Sequence, residues 1–121
     1  MPLEMRGEVR VGESILNTVK KLLGLDPSYD AFDTDVLIGI NAALFTLMQL
    51  GVGPRGGFIV HSQSQTWGEF IGNASDLEAL KQYVYLRTRI AFDPPSNASV
   101  LQSMKDLCDE YAWRLNVQVD P

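Results

Sequence analysis

Cys108 and His61 are the only thiol and the only imidazole in a chain of 121 residues. A nucleophile needs a base within hydrogen-bond reach, and a zinc site needs several nitrogen or sulfur ligands. One residue of each kind leaves most such constellations unavailable. Cys108 falls on the apolar stripe of a helical segment, where a free thiol behaves as a small core residue. His61 lies in a Gly/Ser/Gln-rich loop and reads as a solvated or interface residue. Asp106, Asp109 and Glu110 are close in sequence but lack the spacing of a calcium-binding loop, so they read as a solvated face. The stretch GVGPRGG, residues 51–57, resembles a phosphate loop only superficially. It lacks the Gly-Lys-Ser/Thr ending and follows a helix where a strand is needed. The residues therefore carry no enzyme signature and imply no metal and no cofactor.

Composition sets the remaining bounds. The chain is 45% hydrophobic and 21% charged, which is ordinary for a globular domain, and its length fits one domain. The net charge of −5 argues against a bulk nucleic-acid binder, whose footprint is a basic face. A single cysteine cannot form an internal disulfide, which fits a reducing cytoplasm. The first residues, MPLEMRGEVRVG, hold no apolar core of signal-peptide length. Residues 1–12 read as a flexible N-terminal arm, followed by one helical domain over 13–121.

The elements that must position any site are helices. ESILNTVKKLLG places Ile15, Leu16, Val19, Leu22 and Leu23 at helical spacing, and Lys20 and Lys21 complement the C-terminal dipole before Gly24. The second helix, TDVLIGINAALFTLMQLG, begins a run from Val36 through Pro54 without a charge. Its apolar part is too short and too polar for a membrane span, which needs about 20 mostly apolar residues. A helix apolar on nearly all sides is expected to be surrounded by others. A long loop follows, with a β-like run Phe58-Ile59-Val60 that suits a short hairpin and a TWGEFIG segment that suits one helical turn. The third helix opens at SDLE, where Ser75 and Glu78 have capping-box spacing. It must stop near Phe92 or Asp93, because a residue before proline is pushed out of the helical region. The fourth helix starts at Pro95 or Ser96 and carries Val100 or Leu101, Met104, Leu107, Cys108, Tyr111 and Leu115 as its apolar stripe. The short Pro-Pro connection predicts an antiparallel helical hairpin. The fold class expected is all-α: a small four-helix bundle-like domain with a long loop between helices two and three. Trp113 suits the core, and Trp67 suits the core and an interface equally.

Two segments carry a family resemblance: YVYLRTRIAFDPP and EYAWRLN. With their flanks, from about Ser14 to Pro121, they resemble the small head–tail connector (adaptor) proteins of long-tailed phages and prophages. That resemblance implies a structural virion protein of the neck, made in the host cytoplasm. It implies a homo-oligomeric ring of about twelve copies on the portal protein, which the next neck or tail component meets, with DNA passing through the lumen and no membrane. Such a ring needs head-to-tail contacts between two different patches. One expected patch is the long loop around Arg55, Phe58, Ile59, Val60 and Trp67. The other is the exposed face of helices three and four, with Arg87, Arg89, Asp109 and Arg114. The C-terminal end from Trp113 is the expected portal contact. The alternative is a small helical regulatory or nucleic-acid-binding protein, against which the scattered basic residues argue.

Overall fold

The computed structural model describes residues 10–72 and 76–119. Among these residues a 3₁₀ turn at Arg10–Gly12 precedes five helices: α1 Ile15–Leu22, α2 Asp33–Gln49, α3 Trp67–Ile71, α4 Leu77–Phe92 and α5 Ala98–Val119. Four are the expected helices, and α3 is the single turn expected in TWGEFIG. No strand forms among the described residues; Ser14 and Thr66 make one isolated antiparallel bridge. The Phe58-Ile59-Val60 run forms no strand; a side chain of α2, Asn41, takes the backbone hydrogen bonds of Val60. Residues 10–12, expected in the arm, form a turn instead; the rest of the arm and Ser75 of the expected capping box lie outside the described residues. No described helix is long and apolar enough to cross a membrane.

Helix boundaries follow local chemistry. Ser14 caps α1, its hydroxyl accepting from the Asn17 N–H at 3.1 Å. Thr66 and Glu69 form the reciprocal capping box that starts α3. Helix α4 ends at Phe92 and α5 begins at Ala98, so residues 93–97 are the whole connection. Asn97, not Pro95 or Ser96, caps α5: its Oδ1 accepts from the N–H groups of Ser99 (2.8 Å) and Val100 (3.1 Å). The start of α4 lies beside the end of α5, where Asp76, Ala79, Trp113 and Leu115 line one depression. The pair is therefore the expected antiparallel hairpin.

Helix α4 is the centre of the molecule. It packs on α2 along one flank and on α5 along the other, while α2 and α5 touch only slightly. The α2–α4 crossing is close because Gly39 has no side chain: a Cβ there would sit 2.9 Å from Thr88 Cγ2 and 3.2 Å from Thr88 Cα. Ile40, Leu44, Leu47, Leu80, Tyr83 and Val84 fill the space between. Lys20 does not serve the α1 dipole from solvent. It is buried, its Nζ 2.7 Å from Asp33 Oδ1 and donating to the Pro27 carbonyl at 2.9 Å. This ties the end of α1 to the start of α2, while Leu22, expected on the apolar stripe, is exposed.

Candidate interaction surface

Among the described residues no group of three or more His, Cys, Asp or Glu could hold a metal ion. Cys108 is buried, and burial pushes its thiol above the usual range, with Arg87 opposing and Asp109 adding to the shift. Burial likewise raises the Tyr83 hydroxyl, against the opposing charge of Arg87. His61 faces solvent, and its Nε2 lies 3.1 Å from Gln65 Nε2.

The long loop is folded onto the body, not splayed from it. Asn41 of α2 clasps Val60 with both ends of its amide: Nδ2 donates to the Val60 carbonyl and Oδ1 accepts from the Val60 N–H, each at 2.8 Å. Gln65 Oε1 accepts from the N–H groups of His61 (2.9 Å) and Ser62 (3.0 Å), which shapes the next turn. Trp67 donates its indole N–H to Thr18 Oγ1 at 3.1 Å. Phe58 meets Phe70 edge-on at 5.5 Å between centroids. Gly53 has φ +96°, and a Cβ there would lie 2.4 Å from Phe70 Cζ, so this ring packs against bare backbone.

This packing sorts the expected surface residues. Val60 (1% exposed) and Trp67 (0%) are core residues and present nothing to a neighbour; the Asn41 clasp and the α3 cap turn both inward. Phe58 is half-buried, whereas Arg55 and Ile59 are exposed. Arg87 donates to Tyr83 Oη at 2.6 Å. Arg89 donates to the Asp93 carbonyl at 2.7 Å and to Tyr85 Oη at 3.3 Å. Both guanidinium groups are thus tied within α4 and its end. Asp109 is exposed, and Arg114 pairs with Glu110 at 2.6 Å. Trp113 is not in the core: it is 65% exposed on the outer side of α5.

Residues absent from the expected set complete the surface. Helix α2 is not surrounded. Asp35, Ile38, Ala42, Phe45 and Gln49 are all exposed and recur at alternating steps of three and four, so they form one straight stripe. In a run this uniformly apolar the inner and outer faces look alike, so periodicity carried little signal. Beyond Phe45 the stripe opens into a groove of about 580 Å³ between Met48 and the Gly53–Gly57 turn, with Arg55 on its rim. At the opposite end of the stripe, Tyr29, Phe32 and Phe92 stack edge-to-face, with centroids 5.8 and 5.5 Å apart. On α5, Val100, Leu107 and Val117 are exposed as well. Exposed apolar side chains thus gather on two helices.

A family model described as phage connector protein matches residues 15–121. No curated protein and no solved structure matches the chain.

Proposed function

The chain belongs to the phage connector protein family, and on that premise we propose that it is the adaptor that docks as a ring on the portal vertex of the capsid. In this role it joins head to tail, extends the channel for DNA, and meets the next neck or tail component on its far side. We take residues 13–121 as the connector unit. The observation that carries the reading is the pairing of a tightly tied helical body with apolar surface left open on both flanks of α4. A catalyst converges polar groups in a cleft. A scaffold subunit instead keeps hydrophobic area outside for its neighbours. The protein acts as a structural component and not as an enzyme.

Trp113 is the residue proposed for the portal contact. It stands exposed near the end of α5, beside Asp76 and Glu78 in a depression, and large aromatics of this kind anchor interfaces. Native mass spectrometry of the chain mixed with its portal protein tests the proposal. A complex with several copies of the chain per portal is expected, weakened by Trp113→Ala. Absence of any complex across the accessible concentration range overturns it. A monomer in the free state does not, because adaptor subunits can assemble only on their partner.

A further inference from the structure

We infer that the open stripe of α2 is the seat for the outer stripe of α5 from a second copy of this chain. This rests on the ring reading above and assigns its subunit contact to faces other than the long loop. Three observations converge.

First, each stripe is built for helix against helix. On α2 the exposed positions 35, 38, 42, 45 and 49 alternate by three and four. On α5 the exposed Val100, Ser103, Leu107, Glu110, Arg114 and Val117 do the same. This is the spacing that keeps two packed helices in register along a shared seam. Among the described residues no helix covers either stripe, and Ile38 is 64% and Phe45 58% exposed.

Second, the charges match. Asp35 stands at one end of the α2 stripe and Arg55 lines the groove at the other, so Ile38, Ala42 and Phe45 between them form an uncharged centre. An uncharged centre accepts a stripe whose own charges are cancelled, since burying an unpaired charge is costly. The α5 stripe meets that condition: its two charges, Glu110 and Arg114, neutralise each other at 2.6 Å. Size is complementary too, with small Ala42 between Ile38 and Phe45, and small Ser103 one turn before Leu107.

Third, the two stripes belong to the two flanks of α4, which packs on both helices while they hardly touch each other. One copy can therefore give its α5 stripe to one neighbour while receiving another's on α2. That is a heterologous contact, which repeats from copy to copy and closes into a ring when the rotation allows.

Cysteine cross-linking tests this. Phe45→Cys chains, carrying a tag that changes their mass, are mixed with Leu107→Cys chains and treated with a short bismaleimide, free and with portal added. Both positions are exposed, so both variants fold, and the buried Cys108 makes the wild-type chain the blank. The expected result is a Phe45–Leu107 cross-linked pair severalfold above both same-site pairs, in at least one of the two conditions. Ile38→Asp in the Phe45→Cys chain lowers that yield severalfold. Same-site pairs equal to or above the mixed pair in both conditions, or no cross-link in either, overturn the assignment. The ring reading is judged separately by native mass spectrometry. Rings on portal without the mixed cross-link sink only the face assignment, whereas the mixed cross-link without rings sinks the ring.

Discussion

Asn41→Leu tests the clasp that holds the long loop. Leucine matches asparagine in branching and in the number of side-chain heavy atoms, though its methyl groups are bulkier, and it neither donates nor accepts. The wild-type amide makes two hydrogen bonds of 2.8 Å to the backbone of Val60, a residue that is itself buried. A typical intramolecular hydrogen bond contributes about 1 kcal/mol net, and an orphaned buried backbone group costs about 1–3 kcal/mol. With the loop held in place, two orphans cost about 2–6 kcal/mol. The loop can escape by peeling off and hydrating Val60, but then Val60 loses its burial, worth about 1.5–3 kcal/mol for a side chain of that size. The expected loss is therefore about 2–4 kcal/mol, at the lower end if the loop releases. Urea unfolding gives the magnitude, and amide hydrogen exchange at Val60 separates the two routes. Fast exchange at Val60 with the α4 amides still protected reports a released loop. A loss under about 0.5 kcal/mol with Val60 still protected refutes the clasp.

Gly39→Ala gains up to about 1 kcal/mol of helix propensity but drives a methyl against Thr88, where overpacking costs about 1–3 kcal/mol. Net destabilisation is expected, with Thr88→Ala in the same chain recovering part of it; a raised melting temperature for Gly39→Ala alone refutes the close crossing. Pro94→Ala with Pro95→Ala loosens the unfolded chain and is expected to cost about 1–2 kcal/mol or to permit swapped dimers. An unchanged melt together with a clean monomer by size exclusion counts against it. For Cys108 the folded state holds the thiol proton more tightly than the unfolded chain does, because burial disfavours the thiolate. Its contribution is intact below the ordinary thiol value of about 8.5 and is lost as pH rises beyond it toward the raised folded value. Urea midpoints from pH 7 to 10 should fall more steeply for wild type than for Cys108→Ala, and parallel slopes would remove Cys108 as the cause.

Much of the helical framework was legible because its signals are local. The stripe Leu77, Leu80, Tyr83, Val84 has helical period, and Pro94-Pro95 forces a break whatever lies around it. The lysine pair of α1 shows the limit. Lys20 and Lys21 look alike in sequence, yet Lys20 points inward because Asp33 and the Pro27 carbonyl wait there. Those partners lie 13 and 7 positions away, and no periodicity reveals them.

The surface was legible in part. Arg55, Asp109 and Arg114 are outside as their charges suggest, Ile59 and Trp113 are outside although apolar, and Trp67 and Val60 are inside. An aromatic fits a core and an interface by the same property, a large apolar area, so its type cannot choose between them. Sequence alone determined the helical class, the hairpin at residues 93–97 and the family, since each rests on residues near one another in the chain or on a pattern along it. Tertiary structure alone decided which side of α2 faces water. Residues 36–50 are apolar on nearly every side, and only the packing of α4 against Gly39, Ile40, Ala43 and Leu47 leaves Ile38 and Phe45 uncovered.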